Sequence, residues 1–305
     1  MVEVSVIVPN YNHAPFLRQR IDTILNQTFQ DFELIILDDC STDNSKEIIE
    51  SYAGNPKISH IILNSANSGS PFLQWQKGIN LAKGEYVWIA ESDDWCEPSL
   101  LETLVDGMRK DDQCVISYSQ LSCINEYNDI GWQSSHRCLS EIVESKSFIQ
   151  DYLALKVSIY NASMAIFKRE KFQYLTSGFT TFKFSGDRLF WLEMARQGKT
   201  HISGKVLNYF RKHGHDVSGK AYKSGLNFVE ELRIINWMYK EELIDDVIYA
   251  KAFKKQYQAY WQVRKTIDVD NKNIITNAFH HPLSKKVNTG SFVLSAIWKA
   301  YKKKD

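Results

Sequence analysis

Apolar runs and amphipathic stretches alternate through the first 120 residues. Val4 to Val8 is a continuous apolar run closed by Pro9 and Asn10, which predicts a buried strand. Ala14 to Asn26 then sets Leu17, Ile21, Ile24 and Leu25 on one face at helical spacing. Phe32 to Leu37 predicts a second strand. The turn Asp38-Asp39-Cys40-Ser41-Thr42-Asp43 follows it, rich in cap-forming residues, and opens a helix carrying Ile48, Ile49 and Tyr52. Ile58 to Leu63, Tyr86 to Ala90 and Val115 to Ser119 predict further strands. Pro71 to Ala82 and Pro98 to Arg109 predict the intervening helices, the first of them stopped by Lys83-Gly84. This alternation makes an α/β fold, a mostly parallel sheet flanked by helices on both faces.

Three polar clusters end strands of that sheet: Asn10-Tyr11-Asn12, Asp38-Asp39, and Glu91-Ser92-Asp93-Asp94. All three belong on one edge, the edge where open α/β sheets bind ligands. Carboxylates gathered there suit a hard cation, and the cation suits a phosphate. The glycine loops that cradle pyrophosphate in dinucleotide-binding and P-loop proteins are missing from the sequence. A bound diphosphate therefore calls for a metal. Tyr11 offers a flat face for a base, while Asp38 or Asp39 can accept hydrogen bonds from a base N–H or a ribose hydroxyl.

Composition narrows the setting. The 305 residues, 44% hydrophobic and 24% charged, are those of an ordinary globular chain able to bury one large core and a smaller second unit. The cysteines, at 40, 96, 114, 123 and 138, lack C-x-x-C spacing, so neither a zinc site nor a disulfide framework is expected, and a reducing cytoplasm fits. Neither a signal sequence nor a spanning segment is expected. The net charge of +1 hides an asymmetry: residues 251–305 hold 12 Lys or Arg against 3 Asp or Glu, and residues 1–250 hold 25 against 33. Near the end, Phe292, Val293, Ala296, Ile297, Ala300 and Tyr301 recur at helical spacing beside Lys299 and Lys302 to Lys304. Such a helix lies on an anionic membrane surface or packs on the body. No motif of the nucleic-acid-binding modules accompanies the basic end, so nucleic acid is not an expected partner.

From about Val4 to Ser218 the chain resembles the inverting glycosyltransferases of family 2. The resemblance rests on Val4-Ser5-Val6-Ile7-Val8-Pro9-Asn10-Tyr11-Asn12, Gln27-Thr28-Phe29 with Phe32-Glu33-Leu34, Asp38-Asp39 through Ser41-Thr42-Asp43, Asn67-x-Gly69, Gly84-Glu85-Tyr86 and the run Glu91 to Asp94. It implies the GT-A (Rossmann-like) fold and a nucleoside-diphosphate sugar, with a UDP-sugar expected, as donor. Pro9, Tyr11, Asp39, Asn67, Gly69, Lys77, Asp93 and Arg211 would form the donor site. Mg²⁺ or Mn²⁺ would be held by Asp94 and Asp93, with His213 nearby. Two departures stand out: Glu91 occupies a place where the family often has Asp, and Leu73-Gln74-Trp75 replaces its common Ala-Arg-Asn.

In the second half, Gly186-Asp187-Arg188-Leu189-Phe190-Trp191-Leu192 resembles the family's acidic-pair helix, with Gly186 where Glu is usual. The resemblance implies that Asp187 is the general base; read without it, Asp187 is equally a helix N-cap. Leu207 to His213 resembles the strand that closes the catalytic domain, which brings Arg211 and His213 toward the diphosphate or metal. The division expected is a catalytic domain over 1–215, with its nucleotide half about 1–119 and acceptor half about 120–215, then a helical, basic extension over 216–305. The less patterned stretch Leu121 to Ser163 suits an acceptor surface. The expected reaction is metal-assisted sugar transfer to a saccharide or lipid-linked saccharide in bacterial surface polysaccharide assembly, in the cytoplasm or at the inner face of the plasma membrane. A catalytically inactive nucleotide-sugar-binding subunit and a sugar nucleotidyltransferase are the competing readings.

Overall fold

The computed structural model describes residues 2–214 and 224–287. The amphipathic basic stretch around Phe292 to Lys304 lies outside the described residues. The chain divides into two compact units. The first comprises residues 1–145, 159–180 and 193–213; the second comprises 146–158, 181–192 and the remainder from 214.

The first unit is built on β1 (Val4–Asn10), β2 (Phe32–Asp38), β3 (Ile58–Leu63), β4 (Tyr86–Ile89), β5 (Trp95–Cys96), β6 (Cys114–Asn125), β7 (Ile130–Gln133), β8 (Ser140–Val143), β9 (Ala165–Lys168) and β10 (Lys199–Lys212). They form one sheet in the order β3-β2-β1-β4-β9-β6-β10-β5, with β7 beside β6 and β8 beside β10. β1 pairs in parallel with both β2 and β4, and β10 in parallel with β6. β9 runs antiparallel to both β4 and β6, so β4 and β6 share one direction. The strands β1, β2, β4, β6 and β10 therefore all deliver their carboxyl ends to the same edge.

Every residue of β1 and β2 is buried, as expected of central strands covered on both faces. The helices α1 (Ala14–Leu25), α2 (Ser45–Glu50), α3 (Pro71–Leu81) and α4 (Leu100–Arg109) provide the cover. On α4, Leu100, Leu101, Leu104, Val105 and Met108 face the core. Gly84 is required by packing: a Cβ there would stand 2.6 Å from the backbone of Val4 and Ser5. The backbone N–H groups of Lys83 and Gly84 instead reach the Ser5 hydroxyl at 3.0 and 2.8 Å.

The stretch Leu121 to Ser163 is more ordered than its pattern suggests. β6 runs on to Asn125, and β7 and β8 follow within it. Beyond the predicted strand end at Ser119 the pattern is hidden because buried polar residues, Gln120 and Ser122, stand where apolar ones are expected. Their cost is offset by hydrogen bonds such as Ser134 Oγ to Gln120 Oε1 at 2.9 Å and Gln120 Nε2 to the Ser203 carbonyl at 3.0 Å.

In the second unit, α5 (Gly186–Ala195) has its first residues; the boundary between the units falls after Leu192. The described part of the extension is helical as expected, with α6 (Asn227–Lys240), α7 (Asp246–Val263) and α8 (Val269–His280). The aromatic stripe of α7 is spent inside this unit: Tyr257 and Tyr260 meet Phe279 with ring centroids 5.2 and 5.6 Å apart, and Tyr260 meets Phe228 at 5.7 Å. Asp245 caps α7 through the N–H groups of Val247 and Ile248. No helix among the described residues is long and apolar enough to cross a membrane.

Candidate active site

The edge where the parallel strands end is braced by its own polar side chains. Asn10 donates to Asp38 Oδ1 at 2.7 Å, and the Ser41 hydroxyl donates to the same oxygen at 2.6 Å. Asn12, at φ +58°, accepts the Thr42 N–H at 2.7 Å, and Asp43 accepts the Ala14 N–H at 2.9 Å where α1 begins. Pro9 is buried in β1 opposite Leu37, and Tyr11, just past the end of β1, is 46% exposed. An exposed aromatic ring over a rigid polar edge can take a stacked base.

Asp39 is the hub of the β2 end. Its carboxylate accepts from Asn64 Nδ2 at 2.8 Å, the Ser68 N–H at 3.0 Å, the Ser68 hydroxyl at 2.7 Å and Gln74 Nε2 at 2.8 Å. Its carbonyl accepts from Asn67 at 2.9 Å, and Asn67 Oδ1 in turn accepts the Gly69 N–H at 2.8 Å. Gly69 sits at φ +76°, where a side chain would be strained. Lys77 donates to Asn64 at 2.5 Å. Asp39, Asn67, Gly69 and Lys77 thus belong to one network. Asn64, Ser68 and Gln74 complete it, and no sequence pattern had singled them out for such a role.

The acidic turn after β4 separates its carboxylates by environment. Glu91 accepts Trp75 Nε1 at 2.9 Å. Burial, with the charges of Asp93 and Asp94 adding to it, pushes its carboxyl up to about 8. Asp94 is buried, accepting the Arg211 N–H at 3.0 Å and the Asn161 side-chain amide; burial first, and Asp93 second, raise it. Burial pushes Asp93 up too, but the His213 hydrogen bond and the His13 and His213 charges outweigh that and hold it below the usual carboxylate range. Its Oδ2 lies 3.1 Å from His213 Nε2.

Arg211 ties the turn down: Nε donates to the Asp93 carbonyl at 2.9 Å, Nη2 to Gln19 at 2.9 Å and Nη1 to Asn128 at 3.0 Å, with the guanidinium over the Phe16 ring. Next along the chain Trp95 stacks flat on Tyr209, their centroids 3.6 Å apart. A second arginine, Arg20, is fully buried against the Trp88 ring. His13, Asp93 and His213 each offer one ligand atom, all within 4.8 Å of one another. Two imidazoles and a carboxylate form a donor set that fits a divalent ion. The sequence puts Asp94 first among the ligands; in the structure its oxygens accept the Arg211 N–H and the Asn161 side-chain amide.

A family model described as glycosyl transferase family 2 matches residues 5–176. The chain belongs to that family. Its relatives in the family include the glycosyltransferase GlyG of Streptococcus pneumoniae, 37% identical over 113 residues, a match that spans 37% of each chain. The poly(ribitol-phosphate) β-N-acetylglucosaminyltransferase TarP of Staphylococcus aureus is 29% identical over 259 residues, covering 79% of this chain and 75% of TarP. Among solved structures, S. aureus TarS 1–349 in complex with UDP-GlcNAc superimposes with a TM-score of 0.65 at 19% identity over 91% of each chain. The mannosyltransferase PcManGT of Pyrobaculum calidifontis, in complex with GDP-Man and Mn²⁺, gives 0.60 at 17% identity, over 100% of this chain and 88% of PcManGT. The family-2 chain described here therefore has the GT-A fold.

In the second unit of this family-2 chain, Asp187 stands in the first turn of α5. Its carboxylate accepts only the adjacent Arg188 N–H among the hydrogen bonds described, at 2.8 Å, a contact that does not cap the helix in the N2 or N3 manner. Burial raises its carboxyl to about 6. The preceding loop is anchored by Glu230 of α6, which accepts the N–H groups of Lys183, Phe184 and Ser185 at 2.8 to 2.9 Å. Arg188 pairs with Glu231 and donates to the Leu153 carbonyl at 3.0 Å.

Proposed function

We propose that this chain transfers a sugar, with inversion, from a nucleoside-diphosphate sugar, a UDP-sugar by preference, to a saccharide or lipid-linked saccharide acceptor in bacterial surface polysaccharide assembly. The observation that carries the reading is the convergence at one sheet edge of the Asp39 network with the Asp93 and His213 pair. In this reading Tyr11 stacks on the base, and the Asp39 network, with Asn67, Gly69 and Lys77, shapes the nucleoside pocket. Pro9 sets the loop that leads to it. Asp93 and His213 hold a divalent ion, Mg²⁺ or Mn²⁺, with Asp94 behind them fixing the turn. When bound, that ion supplies Lewis acidity toward the departing diphosphate. Arg211 keeps the ligand turn rigid, so its geometry is set before donor arrives.

Direct displacement at the anomeric carbon also needs a deprotonated acceptor oxygen. Asp187 takes that proton, and a carboxyl of pKa about 6 is ionised at neutral pH while remaining a stronger base than a solvated aspartate. Attack opposite the leaving group inverts the anomeric centre. The name of TarP, a poly(ribitol-phosphate) β-N-acetylglucosaminyltransferase, supports a polymeric acceptor. The deciding experiment incubates the protein with a panel of nucleotide sugars and Mn²⁺, identifies the donor by hydrolysis and thermal shift, and reads anomeric configuration of the transferred product by NMR. Retained configuration sinks the single-displacement mechanism. Tight donor binding without turnover on any acceptor favours the inactive binding subunit.

A further inference from the structure

We propose that His13 is a third protein ligand of the metal at this site, which makes the site a two-histidine, one-carboxylate set selective for an imidazole-binding divalent transition ion over Mg²⁺. The inference rests on the reading above that Asp93 and His213 hold a metal, and it adds a residue and a metal preference to it.

The three side chains come from separate segments brought together by the sheet. His13 follows the β1 cluster, Asp93 lies in the turn after β4, and His213 directly follows β10. Their ligand atoms all lie within 4.8 Å of one another. Ligands bound about 2.1 Å from one ion stand roughly 3 to 4 Å apart, so a small rotamer adjustment seats a cation among them. The two imidazoles meet edge to face with centroids 5.3 Å apart, and the Phe16 ring lies 5.2 Å from that of His213.

The surroundings orient each donor. Ser92 Oγ lies 2.8 Å from His13 Nδ1 and fixes the plane of that ring, the arrangement by which outer-shell hydroxyls and carbonyls orient metal-binding histidines. The Asp93 backbone is held by Arg211 through its carbonyl, which leaves the carboxylate directed at the histidines. Mg²⁺ prefers an all-oxygen shell and keeps its waters, whereas Mn²⁺, Co²⁺ and Zn²⁺ accept imidazole nitrogen, and two imidazoles with one carboxylate leave positions open for phosphate oxygens.

Full-length protein saturated with UDP is titrated with Mn²⁺, Co²⁺ and Mg²⁺ by calorimetry, and Mn²⁺-loaded wild-type protein is examined by pulsed EPR for ¹⁴N couplings. The expected result is at least tenfold tighter binding of Mn²⁺ and Co²⁺ than of Mg²⁺, two histidine nitrogen couplings, and at least a tenfold loss of Mn²⁺ affinity in His13→Ala with Mg²⁺ affinity little changed. A single nitrogen coupling, or wild-type Mn²⁺ affinity in folded His13→Ala, overturns the role of His13 while leaving the metal reading intact. No metal binding by wild-type protein overturns both. The EPR measurement needs no variant and so decides the matter even if His13→Ala fails to fold.

Discussion

Arg211 grips the acidic turn at two adjacent residues, its backbone N–H on the Asp94 carboxylate at 3.0 Å and its guanidinium Nε on the Asp93 carbonyl at 2.9 Å. β10 and the β4 loop are thereby locked together at the point where the candidate ligands stand. Replacing Arg211 by Met leaves the Asp93 carbonyl and the Gln19 and Asn128 side chains without their charged donor, and hydrogen bonds to charged groups are worth about 1.5 to 3 kcal/mol each. We expect Arg211→Met to lower unfolding free energy by about 3 kcal/mol and to weaken Mn²⁺ binding at least tenfold. Equilibrium denaturation and calorimetry check the two effects; unchanged metal affinity would show that the clamp does not position the ligands.

Asp187→Asn is expected to lower kcat by about 10²- to 10⁴-fold, the usual contribution of proton transfer to a positioned base, while UDP affinity stays at the wild-type value. Steady-state kinetics with a hydrolytic or acceptor-coupled assay, beside UDP calorimetry, separate the two. Wild-type turnover in the variant would remove Asp187 from the chemistry.

The same residue sets an acid limb. Its carboxyl, raised to about 6 mainly by burial, must be ionised to accept a proton, so kcat/KM should fall about tenfold per pH unit below 6 and level off above 7. The residual rate of Asp187→Asn should show no such limb. A limb persisting in that variant belongs to another group.

Asp39→Ala strands the donors of Asn64, Ser68 and Gln74 around a vacated carboxylate. We expect a loss of about 2 kcal/mol in stability and at least tenfold weaker UDP binding. Measurement of both in parallel distinguishes a scaffold from a reader of the base: loss of stability with intact UDP affinity would assign Asp39 to the fold alone.

Acid should weaken the fold through His201. The ring lies buried between Ser117 and Ser140, bonded at 2.9 and 3.0 Å, and burial, with Lys110 nearby, lowers it to about 4. A base depressed in the folded state is protonated first in the unfolded chain, so stability is lost as pH falls from about 6.5 toward 4. The shift corresponds to about 3 kcal/mol. Denaturation at pH 7.5 and 4.5 should show that loss shrinking by about 2 kcal/mol in His201→Gln; an equal loss in both proteins would count against it.

The order β1 to β4 with the helices α1 to α4 was legible because those strands are mostly apolar and the helices carry apolar faces, whereas the two-residue β5 is too short to show a pattern. β6 past Ser119 and the first half of β10 were not, since serines, Gln120, Thr200 and His201 sit inside the sheet and erase the alternation that marks a strand. Of the candidate site, motifs in the sequence point to Asp39, Asp93, Asp94 and Asp187. His13 was passed over because a lone histidine after a strand carries no spacing signal, and only the sheet brings it to Asp93 and His213. The separate environments of Asp93 and Asp94 were equally invisible, because they depend on Arg211 and Asn161, far away in sequence.

β10 has a consequence for how the protein comes into being. Its carboxyl end lies beside β6 and carries both the arginine clamp and the last member of the His13, Asp93 and His213 triad. A growing chain that has already laid down β1 to β4, with Tyr11, Asp39 and the whole acidic turn, still has no clamp on that turn. The acidic turn is braced only when β10 inserts, so the geometry of the candidate site is the last part of the sheet to be set.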